Sequence, residues 1–154
     1  MEEAVLKAMR DKFGDAILDV YEKSPRRTYV TVDPARLPDI AEYLYKEVGC
    51  RFSIATGMHM AHGIEILYHF PLDRANWFIN LRVILDVDKP SIESIARRVP
   101  AAEWIEREIH ELLGVEFRGH PDMRHLLLTD DWPEDNWPLR RDWKDWRGGE
   151  NAKG

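Results

Sequence analysis

The chain has one cysteine, Cys50, in 154 residues. A single thiol cannot close an internal disulfide, and an iron–sulfur cluster or structural zinc site usually needs several such ligands. Any redox centre this protein serves is therefore expected in another polypeptide. Long apolar runs are also missing. Nothing approaches the roughly 20 residues needed to span a bilayer, and no secretory signal opens the chain. Positive charge is in short supply too. Lys and Arg total 22 against 28 Asp and Glu, a net charge of −6. That argues against non-specific nucleic-acid binding, which needs a basic surface to neutralise phosphates. Internal repeats and low-complexity segments are absent. Together these features predict a cytoplasmic protein, free to sit peripherally on a membrane partner.

What is present suits one ordinary domain: 44% apolar and 32% charged residues, in a chain long enough to bury a core. Residues 2–13 read as a helix with Ala4, Val5, Ala8 and Met9 on one side and Gly14 ending it. Two strands follow at 17–21 and 27–32, joined by a turn at Lys23-Ser24-Pro25. Asp33-Pro34 signals a cap, with a short turn before a helix at 38–48. That helix should bury Ile40, Ala41, Leu44 and Val48 and stop at Gly49. Strands are expected at 51–56, 64–70 and 77–87. In the last, Trp77, Ile79, Leu81, Val83 and Leu85 alternate with polar or exposed positions. Ser91, Glu93 and Ser94 suggest a short helical start. The order predicts an α+β domain with a mainly antiparallel sheet covered by helices on one face.

A helix beginning near Pro100-Ala101 carries Ala101, Trp104, Ile105, Ile109, Leu112 and Leu113 at helical spacing. Glu103, Glu106, Arg107, Glu108 and Glu111 cover the remainder, a face expected to be solvated, with Glu103 and Arg107 paired at i,i+4. Gly114 ends it as a residue able to take positive φ. Beyond Phe117 periodicity stops, and Gly119-His120-Pro121-Asp122 reads as a tight turn.

These same residues carry a resemblance. Glu106-Arg107-Glu108, Glu111-Leu112-Leu113-Gly114, Phe117, Gly119-His120-Pro121-Asp122 and Arg124 are similar to the signature of the 30 kDa subunit of respiratory complex I. That protein is a component of the NADH-quinone oxidoreductases, with relatives in membrane-bound energy-converting NiFe hydrogenases and formate hydrogenlyases. Pro138-Leu139-Arg140-Arg141-Asp142 resembles the family's closing Pro-Leu-Arg-Lys-Asp-Phe-Pro run, with Arg141 in place of Lys and Trp143-Lys144 in place of Phe-Pro. The match is dense over about residues 100–142. It implies an α+β domain over 1–116 and an extended, partner-wrapping tail over 117–154. It also implies a cofactor-free subunit docked on a large catalytic subunit (hydrogenase large subunit or 49 kDa type) and a small Fe–S subunit, with Fe–S clusters and a NiFe centre or quinone held there. Leu126-Leu127-Leu128-Thr129-Asp130-Asp131-Trp132-Pro133 resembles the hydrogenase branch. The quinone-reducing branch is the alternative.

Other readings compete for individual residues. His59-Met60-Ala61-His62, with His69 beyond, could supply a metal-dependent enzyme. The stretch reads as a loop between strands, with no further ligand at a recognisable spacing, so a solvent- or partner-facing loop is preferred. Glu106, Glu108 and Glu111 are not spaced as an acid/base pair. His120, between Gly and Pro, is expected to bond backbone. Trp132, Trp137, Trp143 and Trp146 in the tail would be costly to leave in water at roughly 25 cal/mol per Å². Trp and Arg are favoured interface anchors, so the tail is expected to lie along a partner, with Leu126–Leu128 docked at home.

Overall fold

The structure is a computed structural model that describes residues 1–145; Trp146 lies outside the described residues. A first helix, α1 (Glu2–Phe13), leads into strands β1 (Ile17–Ser24) and β2 (Arg27–Val32). It buries Leu6, Met9 and Phe13 with Val5 beside them, so the apolar stripe sits a step away from Ala4 and Ala8. The second helix starts as a 3-10 turn capped by Asp33, whose carboxylate accepts the Ala35 N–H. It proceeds as α2 (Leu37–Glu42) and finishes in a π-helical turn, Tyr43–Val48, closed by Gly49 at φ 79°. Three strands follow, β3 (Ile54–Met60), β4 (Gly63–Leu72) and β5 (Trp77–Leu85).

The five strands form one sheet in the order β1-β2-β5-β4-β3. All neighbours are antiparallel except β2 and β5, which run parallel and join the first hairpin to the later meander. Period-two alternation sorts β5 as expected: Trp77, Ile79, Leu81, Val83 and Leu85 are all buried. Directly opposite on β4 stand Leu72, Phe70, Tyr68, Ile66 and Ile64, so the two strands present one continuous apolar face. Thr28 in β2 accepts the Trp77 indole N–H at 3.0 Å, which satisfies the one polar group on that large ring.

Two expectations fail here. Ser91–Glu93 forms a short strand, β6, which pairs in parallel with β7 (Glu116–Arg118) beyond the last helix. A helical start was expected because Ser and Glu are common there, but long-range pairing to Glu116–Arg118 overrides local preference. Residues 59–62 are not a loop either. His59 and Met60 belong to β3, and only Ala61-His62 turns the chain into β4.

The last helix, α3 (Glu103–Leu113), lies on β3. Its approach requires a residue without a side chain at Gly57: a Cβ there would stand 2.7 Å from Leu113 Cδ1 and 3.1 Å from Ile109 Cγ2. Gly57→Val is expected to destabilise the chain by about 1–3 kcal/mol through overpacking, read as a lower midpoint in urea unfolding with an unchanged slope.

Candidate functional site

The face of α3 expected in water is in large part buried. Glu106, Arg107 and Glu111 are all buried, whereas Trp104 is 68% exposed. The sequence assigns charged residues outward because burying a charge is costly unless it is paired and hydrogen-bonded. Here each one is. Among the described residues no buried side-chain nitrogen or oxygen lacks a partner.

Arg107 and Glu111, one helical turn apart, grip the backbone of the segment that follows. The Arg107 guanidinium donates to the carbonyls of Arg124 (2.9 Å) and His125 (2.8 Å). Glu111 accepts from the Leu126 N–H and, through its other oxygen, from the Leu127 N–H at 2.9 Å. Its first oxygen also takes the His125 Nδ1 proton at 3.0 Å. One cation thus reads two carbonyls and one anion reads two amides of consecutive peptides. Hydrogen bonds to charged groups contribute roughly 1.5–3 kcal/mol each. The expected Glu103–Arg107 pair gives way to this arrangement.

Glu106 faces the other way, into the domain. Its carboxylate accepts from the Ser94 hydroxyl, the Ile95 N–H (2.9 Å) and the Tyr68 hydroxyl (3.5 Å). His120 stands 4.0 Å off with its ring fully buried. That ring donates from Nε2 to the Glu103 carbonyl at 2.8 Å and accepts the Asp122 N–H on Nδ1 at 2.9 Å. His120 therefore bonds backbone on both sides and ties the turn to the start of α3. Asp122 also receives Arg124 (2.6 Å), which holds its carboxyl well below the usual carboxylate range. Arg97 donates to the Gly119 carbonyl at 2.7 Å, and Phe117 is buried in β7. Pro121 is exposed at the turn. Tyr68, Ser94 and Arg97 were missed by sequence reasoning. No motif marks them, because their roles depend on contacts 12 to 38 residues away.

The chain then returns to the C-terminal end of α3. Gly114 takes φ 75° and its N–H bonds the His110 carbonyl. The Trp137 ring rests against it so closely that a Cβ would overlap the ring. Leu139 N–H donates to the Leu112 carbonyl (2.9 Å), and Arg140 donates to the carbonyls of Leu113 (2.5 Å) and Val87 (2.9 Å). These satisfy last-turn carbonyls that a helix leaves unpaired, with a cation at the negative end of the dipole. Arg140 also stacks 5.0 Å from the Trp137 ring centre. The Pro138-Leu139 turn delivers them, and Arg141 N–H reaches His59 Nδ1 at 3.0 Å before the exposed Asp142. Asn136 receives the indole N–H of Trp132 on its carbonyl and that of Trp143 on its side chain, both at 2.7 Å. The described tail thus folds back on its own domain, where sequence reasoning sent its tryptophans to a partner.

The three histidines read as metal candidates are engaged elsewhere. His59 accepts from Arg141, His62 bonds Glu65 (3.0 Å), and His69 bridges Thr56 (3.0 Å) and Asn80 (2.6 Å). Among the described residues, no three His, Cys, Asp or Glu are placed to hold a metal ion. No helix among them is long and apolar enough to cross a membrane. Burial pushes the Cys50 thiol up to about 11, which disfavours its reactive thiolate form. Glu108 is half-buried on the outer side of α3.

Residues 30–146 match the family described as the 30 kDa subunit of respiratory-chain NADH dehydrogenase. The chain belongs to that family. Complex I 30 kDa-type proteins are subunits of oxidoreductase complexes, and this chain is one of them. Hydrogenase-4 component G of Escherichia coli (strain K12) is 35% identical over 150 residues, covering 94% of this chain but 27% of that one. This chain therefore spans about a quarter of that relative. An F(420)H(2) dehydrogenase subunit of Methanosarcina mazei is 31% identical, covering 91% of this chain and 90% of that one. The fold matches a chain from an archaeal respiratory membrane complex, the membrane-bound sulfane sulfur reductase, with TM-score 0.80 over 99% of this chain and 91% of that one, at 23% identity.

Burial raises the Glu106 carboxyl to about 7, against the lowering effect of its donors. An acid whose folded pKa is raised contributes stability that is full below its ordinary value and is lost as pH climbs through the folded one. Stability should therefore fall between about pH 4.5 and 7 by on the order of 3 kcal/mol. Thermal melts across that range should show the decline in the native protein and a nearly flat profile in Glu106→Gln.

Proposed function

We propose that this chain is a cofactor-free structural subunit in the hydrophilic arm of a membrane-bound, ion-translocating NiFe hydrogenase related to complex I. It docks on the large catalytic subunit and the small Fe–S subunit, peripherally on the cytoplasmic side of the membrane. Electron transfer and ion movement belong to those companions, which hold the Fe–S clusters and the NiFe centre.

The observation that carries this reading is covalent. Hydrogenase-4 component G contains a stretch like nearly all of this chain within a polypeptide about four times as long. A module fused in one relative and free-standing here is one whose contact with the remainder must otherwise be non-covalent. The α3–tail junction suits that task. Glu106, Arg107, Glu111 and His120 fix the path of residues 119–127, and Gly114, Trp137 and Arg140 fix where the chain returns. Bidentate and charge-assisted bonds of this kind set orientation as well as energy. Glu108, Pro121, Trp132 and Arg141–Asp142 extend the surface offered to the companions. The second reading, a quinone-reducing complex, is favoured by the F(420)H(2) dehydrogenase relative, which is free-standing and nearly co-extensive with this chain.

The test is purification of the tagged chain from its own cells, with limited proteolysis before and after the companions are stripped. The expected outcome is a large companion carrying two Cys-x-x-Cys pairs, and cuts within residues 117–145 that appear only in the stripped chain. An NADH-binding or F420-binding companion would overturn the hydrogenase assignment. A chain isolated alone, with equal cleavage in both samples, would overturn the subunit reading itself.

A further inference from the structure

The two edges of the sheet are built differently. On β1 the register slips between Ile17 and Asp19 and again between Glu22 and Ser24, and Asp19, Glu22 and Lys23 are exposed. Bulges and charges are the usual devices that stop an edge strand from pairing with another chain. β3, at the opposite edge, has none of them. Its seven residues, Ile54–Met60, contain no charged residue and no proline, and their register with β4 is unbroken. Among the described residues no backbone hydrogen bond reaches β3 from outside the sheet.

Beside that open edge lies an apolar groove of about 440 Å³. Phe52 and Ile54 form one wall, Trp104, Ile105 and Glu108 of α3 another, and Leu127 of the tail the third. Ile54 is 50% exposed, Trp104 68% and Leu127 60%. Leu127 is held there by the Glu111 carboxylate, so the groove is continuous with the clamp and its wall is fixed in place.

We propose that the outer edge of β3 takes an extended segment of the large companion polypeptide as a sixth strand, with its apolar side chains seated in the Trp104–Leu127 groove. This rests on the subunit reading above. An unguarded edge supplies backbone donors and acceptors that only an extended chain can match, while the groove selects apolar residues at alternate positions. Glu108 at the rim favours a Lys or Arg on that segment. The companion is chosen over a second copy because relatives carry this module within a much longer chain, which places a large neighbour at a fixed position beside it. Strand addition to β3 gives such a neighbour main-chain bonds without any chemistry at this subunit.

The experiment uses the full chain and the companion polypeptide that aligns with the part of hydrogenase-4 component G outside the present match. Amide hydrogen exchange is followed by mass spectrometry in the free chain and in the complex, together with the affinity of Ile54→Lys/Trp104→Glu. Both substituted positions are exposed, so the variant should melt as the native chain does. The expected result is exchange across residues 54–60 slowed at least tenfold in the complex, and affinity weakened at least tenfold in the variant. A complex that forms with unchanged exchange at 54–60 overturns the strand-addition proposal and leaves the subunit reading standing. Slowed exchange that appears on raising the concentration of the chain alone, with dimerisation, overturns it in favour of a second copy. Failure to form any complex overturns both.

Discussion

The structure depends on two opposite charges facing inward from one side of a helix. Arg107 holds the carbonyls of Arg124 and His125, and Glu111 holds the amides of Leu126 and Leu127. Neither charge would be tolerable in that position alone, since an unpaired buried charge costs several kcal/mol. Together with the peptide groups they satisfy, they convert an aperiodic segment into a fixed path. The position of Leu127, the wall it gives to the groove beside β3, and the approach of Trp137 to Gly114 all follow from that path.

Glu106 serves the opposite end of the same task. It binds Ser94 and Ile95, just beyond β6, and Tyr68 on β4, so α3 is anchored to the sheet before it grips the tail. The parallel pairing of β6 with β7 closes the chain on either side of α3. Helix, small sheet and tail therefore behave as one block resting on β3 through Gly57. This is a positioning device. Its charged groups point at peptide groups and at one another, an arrangement that suits recognition and assembly in a family of complex subunits.

Much of the sheet was legible because β5 and β4 follow period two with large apolar residues, and a one-residue slip would have exposed every one of them. Gly49 and Gly114 were legible as helix ends for a similar local reason. The clamp was visible only as a motif. Its residues were identified through resemblance, but their direction was misread, since spacing alone gives Glu106, Arg107 and Glu111 no reason to turn inward. What turns them is the backbone of residues 94–95 and 124–127, and such non-local partners leave no periodic trace. Ser91–Glu93 and His59–Met60 failed for the same reason. Short segments take strand form when an edge is available, whatever their own preference.

The most direct test of this account is the exchange rate of the Leu126 and Leu127 amides in the isolated chain, measured residue by residue by nuclear magnetic resonance. The account predicts slow exchange in the native chain and in Glu108→Ala. In Glu111→Ala, exchange at both amides should accelerate by at least tenfold while the β4 and β5 amides stay protected. Equal protection of Leu126 and Leu127 with and without the Glu111 carboxylate would contradict it.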